Sequence, residues 1–143
     1  MAKFSSSNLP NLFNFNSSLE NLEAAGNTTL LNISENSVGI GACLGYDSTG
    51  DIVLTNADST SLVICTYIAI ETGTSIKEVM MKGLIRNDVW TLSPGSEVYL
   101  SNTSPGLLTT TKPINPDDLV QVIGVAINSN TLLFDPDKTW LRL

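Results

Sequence analysis

The sequence predicts an all-β domain, a small barrel or sandwich, with an extended N-terminal arm containing one short helix. Three observations lead there. From Val38 onward, short apolar runs alternate with clusters of Gly, Pro, Asn, Asp and Ser, the pattern of many short strands joined by tight turns. No stretch after Val38 repeats its apolar residues at the three-to-four spacing of an amphipathic helix. The first thirty-six residues differ in composition, since eight Asn and six Ser make fourteen of them. The chain therefore divides into an arm, 1–36, and a β-barrel-like domain, 37–143.

The strands follow in order. "VGIGACL" (38–44) is an apolar run with two glycines, and "DIVLT" comes after the turn "DSTG" (47–50). In "SLVICTYIAIE" (61–71), Leu62, Ile64, Thr66, Ile68 and Ile70 face one way and Val63, Cys65, Tyr67 and Ala69 the other. Both sets are mostly apolar, which predicts a central strand covered on both faces. "EVMMKGLI", "VWTL", "EVYLS", "LVQVIGVAI" and "TLLF" complete the series, separated by "RND", "SPGS", "SPG", "PINPDD" and "NSN". Gly83 and Gly124 sit inside strands, where a glycine marks a bulge or a sharp bend. Trp90 and Tyr99 flank the "SPGS" turn. Each is a large side chain with a polar handle that wants a partner, so both are expected across the barrel mouth or in a subunit interface.

The arm interleaves Phe4, Leu9, Leu12, Phe13 and Phe15 with its polar residues. A solvated linker would carry fewer aromatics. It reads as a segment that docks on neighbouring subunits, or that packs on its own domain. A helix is expected from Ser17 to Ala25, with Ser17 and Glu20 as a capping box, Leu19 and Leu22 on one face, and Gly26 as the stop. Deleting residues 1–36 is then expected to leave a folded β-domain.

Seven basic residues face fourteen acidic ones, for a net charge of −7, with no basic run. Such a chain is not expected to bind nucleic acid, because phosphates need clustered Lys and Arg. No run approaches the ~20 apolar residues of a membrane-spanning helix, and the N-terminus lacks the apolar core of a signal peptide. The expectation is a protein made in the cytoplasm, with no membrane partner. Cys43 and Cys65 lie far apart in apolar runs and form no CxxC pair. They read as two buried thiols, and a disulfide between neighbouring strands stays open. The four Asn-x-Ser/Thr sites, at Asn16, Asn27, Asn32 and Asn102, read as chance in a chain so rich in these residues.

The chain has no histidine. That removes Ser-His and Cys-His nucleophile pairs and the commonest metal ligand. Asp117–Asp118 and Asp135–Asp137 are carboxylate clusters, but they adjoin turn prolines, where Asp is favoured for its bonds to the local backbone. "GIGACLG" (39–45) lacks the G-x-G-x-x-G spacing and a following helix, so it is not a phosphate loop. No catalytic residue, metal, cofactor or small-molecule substrate is expected. The hydroxyl-rich tract Ser101 to Thr111 reads as an exposed hairpin, or as a loop that contacts a carbohydrate or another subunit.

The segment from Met81 to Pro136 carries a longer pattern: "GSEVYLS", "SPGLLTT", Pro113, "VQVIGVAI" and "LLFDP". Its residues Gly95, Val98, Tyr99, Leu100, Ser101, Pro105, Gly106, Leu108, Thr109, Pro113, Val120, Gln121, Val122, Gly124, Ala126, Leu133, Phe134 and Pro136 are involved. The pattern resembles the β-barrel module of tailed-bacteriophage capsid decoration (cement) and head-fibre proteins. "ACLGYDSTGDIVLTNADS" fits as a hairpin leading into such a barrel. The resemblance covers about half the chain as a signature of fold, and the arm lies outside it.

What the resemblance implies is a virion structural protein on the capsid exterior, not an enzyme. It would be a homotrimer whose partner is the major capsid protein, clamping neighbouring copies of it. Phe4, Leu9, Leu12, Phe13, Phe15, Leu19, Leu22, Trp90 and Tyr99 are the expected contacts with capsid or neighbouring subunits. The alternative is a phage tail or adsorption protein binding a host-surface receptor or glycan. A small trimeric β-enzyme is a third reading, and the missing histidine weighs against it.

Overall fold

The computed structural model describes residues 19–35 and 38–143. These residues form an all-β structure. β1 (Ala24–Ile33), β2 (Cys43–Tyr46), β3 (Ile52–Leu54), β4 (Tyr67–Ala69) and β5 (Ser75–Arg86) make the first half. β6 (Glu97–Leu100), β7 (Leu108–Thr109), β8 (Leu119–Val120), β9 (Val122–Ala126), β10 (Thr131–Phe134) and β11 (Leu141–Arg142) make the second. Nine of them form one sheet in the order β1-β3-β2-β4-β5-β10-β9-β6-β7, and β8 pairs separately with β11.

β1 also pairs with β5, so the first five strands close into a ring. Each contributes one buried residue to a single cluster: Ile33, Leu44, Ile52, Ala69 and Val79, with Val38 beside them. This cluster fills the small barrel. The neighbouring residues Cys43, Ile68 and Met80 belong to a second cluster, shared with Val98, Leu100, Ile123, Leu132 and Phe134. Successive strand residues point to opposite faces, and so β2, β4 and β5 serve both cores. Sequestering a side chain such as Leu132 or Phe134 from water contributes about 1.5–3 kcal/mol.

β5 is the shared axle. Along one edge it runs beside β1 for ten register pairs. Along the other, Val79 and Met80 pair with β4, and Gly83 to Arg86 pair with β10. The strand bends between the two uses. Asn27 pairs with Lys82 but Thr28 pairs with Met80, leaving Met81 as the extra residue of a bulge. Gly26 and Gly83 face each other there, and a Cβ on either would strike the other strand's backbone. Gly124 sits at a second bulge: Val98 pairs with Gly124 and Tyr99 with Val122, so Ile123 is the extra residue. A Cβ on Gly124 would meet Leu133 O. Both strand glycines therefore mark bends.

The sequence-based boundaries need four corrections. The expected helix Ser17–Ala25 is not formed over its described part: Asn21 and Leu22 make a turn and Ala24 starts β1. Ser17 lies outside the described residues. Glu23, not Glu20, supplies the reaching carboxylate, accepting from Glu20 N–H at 2.9 Å. The end of β5 takes up the other groups: Leu22 N–H donates to Arg86 O, and Arg86 N–H to Glu23 O, each at 2.9 Å. The arm expected over 1–36 therefore ends earlier, since Ala24–Ile33 are part of the sheet. In the expected strand 61–71 only Tyr67–Ala69 join a ladder, although Ile68 and Ala69 do serve the two different cores. Residues 89–92 are not a strand; Leu92 N–H bonds Ser129 O outside any ladder.

Candidate binding cleft

Three segments meet beside Trp90. Asn87 fixes the first of them. Its Oδ1 accepts from Val89 N–H at 3.1 Å, its carbonyl accepts from Trp90 N–H at 3.1 Å, and its Nδ2 donates to Ile40 O at 3.2 Å. The side chain ties the turn after β5 to the turn before β2. That second turn passes under the indole through Gly41, whose φ of 88° lies in the left-handed region that glycine enters without steric cost. A Cβ on Gly41 would lie 2.6 Å from the ring carbon Cζ2 of Trp90. Only glycine lets the indole lie this close.

The third segment is the hydroxyl tract. Gly106 N–H donates to Thr55 O and Cys43 N–H to Gly106 O, each at 2.8 Å. Gly106 also has a positive φ, 75°, and a Cβ there would press on the Leu54 side chain at 2.6 Å. Pinned in this way, residues 107–111 run past Trp90. β7 lies within them as the outermost strand of the sheet. Its edge is short and partly occupied by its own side chains, since Thr111 N–H donates to Thr109 Oγ1 at 3.0 Å.

The result is an open cleft of about 720 Å³. Its walls are Gly39–Ala42, Leu54, Asn87, Val89–Leu92, Pro105 and Leu107–Thr111. They combine apolar side chains with the hydroxyls of Thr91, Thr109, Thr110 and Thr111 and the amide of Asn87. None of the described lining residues is charged, although the chain carries twenty-one charged residues in all, seven basic and fourteen acidic. Val89 is 80% exposed at the rim and Leu107 55%.

Of the sequence-derived contact residues, Trp90 lies in this cleft and Tyr99 does not. Tyr99 is half-buried on β6, and its hydroxyl donates to Glu97 Oε2 at 2.7 Å. The carboxylate holds the phenol above its ordinary pKa, with burial adding to the effect. The two aromatics therefore do not share one mouth, because Tyr99 finds its polar partner two residues away on its own strand. Leu19 and Leu22 are half-buried beside the end of β5. There Leu19 O accepts from Arg86 Nη1 at 2.9 Å, and Leu22 adopts a φ of 63° in the turn. Phe4, Leu9, Leu12, Phe13 and Phe15 lie outside the described residues. Gly41, Asn87 and Leu107 were not singled out from the sequence, since each acts through a turn whose partner lies far along the chain.

The remaining sequence features have local partners. Asp135 Oδ2 is 3.4 Å from Lys82 Nζ, and Asp117 Oδ1 is 3.6 Å from Arg142 Nε. Asp118 Oδ2 accepts from Asn102 Nδ2 at 2.6 Å. Among the described residues no group of three or more His, Cys, Asp or Glu is placed to hold a metal ion. Cys43 and Cys65 are free, buried thiols. Burial first, and then the neighbouring Cys43, push the Cys65 thiol well above its ordinary pKa; a thiol held in that state is a poor nucleophile.

A buried amide organises the opposite side of the core. Gln121 is 1% exposed. Its Oε1 accepts from Cys65 N–H at 2.7 Å, and its Nε2 donates to Cys65 O at 2.9 Å and Asp137 O at 2.8 Å. The side chain thus acts as the strand that residue 65 lacks. It is a structural clamp for the buried Cys65, whose stretch is otherwise joined by the single bridge between Val63 and Asn56 and not by a ladder.

Comparison with protein-family models, with curated proteins and with solved structures finds no match for this chain.

Proposed function

We propose that this chain is a virion structural protein that binds the outer surface of an assembled capsid and clamps neighbouring major capsid proteins, as a homotrimer and without enzymatic activity. The observation that carries the reading is what became of the segment with the decoration-protein pattern. Its residues Val98 to Leu100, Leu108, Thr109, Val122, Gly124, Ala126, Leu133 and Phe134 fall in β6, β7, β9 and β10, one continuous half of the sheet. Gly95 and Gly106 occupy its turns with positive φ. The pattern is consumed by strand and turn geometry, which suits a segment that holds a surface in shape.

A docking surface is available for such a role. Leu30 and Ile76 are 66% and 61% exposed. Leu30 pairs with Glu78 and Asn32 with Ile76, so the two apolar side chains are diagonal neighbours on one face of the β1/β5 ribbon. They lie towards its Ile33–Ser75 end, whereas Trp90 follows the Arg86 end. A protein that binds only the assembled shell stabilises it by mass action, and many copies act together.

Co-sedimentation of the purified chain with assembled shells, and separately with unassembled major capsid protein, tests the reading. The expected result is pelleting with shells that is lost in the Leu30→Ser/Ile76→Ser variant. Full recovery of the wild-type chain in the supernatant would refute it.

A further inference from the structure

We propose that the Trp90 cleft is a binding site for a neutral oligosaccharide. Among the described residues, the wall of the cleft carries no charge. With no charged side chain in its wall, it offers no counter-charge to a phosphate, a carboxylate or an amine, and an unpaired charge taken from water is costly. With four threonine hydroxyls in the same wall, a purely apolar ligand would strip water from groups it could not satisfy. A sugar ring suits both conditions. It has a C–H face that lies on an aromatic ring and an edge of uncharged hydroxyls that both donate and accept.

The cleft is built to hold that aromatic still. Trp90 is fixed from below by Gly41 and through its backbone by Asn87, as described above. An indole held before the ligand arrives loses little freedom on binding. The volume, about 720 Å³, lies within the range of roughly 300–1,000 Å³ of small-molecule sites, and the cleft is open, so a chain can run through it. An extended peptide added to the sheet edge is disfavoured, because β7 has two residues and Thr109 Oγ1 already takes the Thr111 N–H.

The site is tested on the purified full-length chain, so its failure and the failure of shell binding are separate results. The chain has two tryptophans, Trp90 and Trp140. In a Trp140→Phe background the fluorescence reports Trp90 alone. Neutral trisaccharides built on glucose, galactose, mannose and N-acetylhexosamines are titrated in turn, with a sialylated trisaccharide and an uncharged apolar octapeptide as comparators. The expected result is a saturable change with at least one neutral sugar, near ~1 mM for a site of this size. It should weaken about tenfold or more, equivalent to roughly 1.4 kcal/mol, in Trp90→Ala and in Thr109→Val/Thr110→Val. The threonine variant matters because Trp90 also packs on the core, whereas Thr109 and Thr110 are only partly buried and their loss leaves the fold intact. No response to any neutral sugar up to ~10 mM, about 2.7 kcal/mol in standard free energy, overturns the proposal. So does a response unchanged in the threonine variant, or binding of the octapeptide in preference to every sugar.

Discussion

Replacing Gln121 by leucine keeps the volume of the side chain and removes its amide. The cost can be worked from the three hydrogen bonds it makes. Cys65 N–H and Cys65 O are left in the core with no partner, because Cys65 is 4% exposed and its own stretch lies outside the ladders. An abandoned buried polar group costs about 1–3 kcal/mol. Asp137, by contrast, is an exposed residue, so its carbonyl can turn to water. The sum is about 2–6 kcal/mol, a large share of the roughly 5–15 kcal/mol that holds a domain folded. At roughly 2.1 cal/mol/K of unfolding entropy per residue, each kcal/mol shifts the midpoint of this chain by about 3 °C. Thermal unfolding followed by circular dichroism should therefore show Gln121→Leu melting about 7–20 °C below the wild type. Gln121→Glu refines the test. Its ionised form faces the carbonyls of Cys65 and Asp137, so burial and those dipoles raise its folded pKa. Its contribution is then greatest below the unfolded value and is lost as pH rises through the raised one. That variant should be more stable in mild acid than at neutral pH. A drop of less than about 1 kcal/mol for Gln121→Leu would refute the idea that the amide substitutes for a missing strand.

Three further outcomes are expected. Gly124→Val should lower stability by about 2–4 kcal/mol, since its side chain meets Leu133 O across a packed bulge; an unchanged denaturant midpoint would contradict the close approach. Removing residues 1–18 should leave a cooperative thermal transition, whereas removing 1–36 should abolish it, because the second cut takes the whole of β1. Equal melting of the two truncations would mean that β1 contributes nothing to the ring. Asp47 and Asp58 have pKa values lowered by the hydroxyls and N–H groups of Thr49 and Thr60, with Asp51 N–H adding to the first. A depressed folded pKa gives stability that is present above the unfolded value and lost as pH falls through the folded one. The double Asn variant should accordingly show a flatter fall of melting temperature on the acid side of pH 4; an unchanged acid limb would exclude both groups from that transition.

The second half of the fold was readable in the sequence because its strands alternate cleanly and its turns carry Pro-Gly. β6 and β10 follow from "EVYLS" and "TLLF" almost residue by residue, whereas the expected strand "LVQVIGVAI" divides at Gln121 into β8, which pairs with β11, and β9 of the large sheet. β1 was not readable. In "AAGNTTLLNI" Leu30 faces solvent and Asn and Thr occupy four of the ten positions, so neither a strand period nor an apolar run stands out. The capping signal at Ser17 and Glu20 pointed to a helix because nothing local reveals that Arg86, more than sixty positions on, takes up those backbone groups. Gly26 looked like a helix stop, and it is instead where two strands touch. The run 61–71 looked like one strand because its composition is that of a core. What divides it is a single amide 56 residues downstream of Cys65, and no local pattern announces a side chain standing in for a backbone. The cleft was half legible. Trp90 and the hydroxyl tract were both conspicuous, but their meeting depends on Gly41 and Gly106, which join turns distant in sequence.

The sharing of β5 between two halves of the sheet has a consequence for how the protein is made. β1 leaves the ribosome first and must wait for Arg86, fifty-three residues after Ile33 (86 − 33), before its pairing is complete. At roughly 5–20 residues per second, that is about 3–10 seconds with a long strand edge uncovered. On a crowded polysome the β5 of a neighbouring nascent chain is as good a match for that edge as the chain's own. Synthesis rate, spacing of ribosomes and temperature should then set the yield of correctly closed rings against strand-exchanged pairs, and in the finished domain the side of β1 away from β5 is met by a strand only where Ile33 pairs with Ile52.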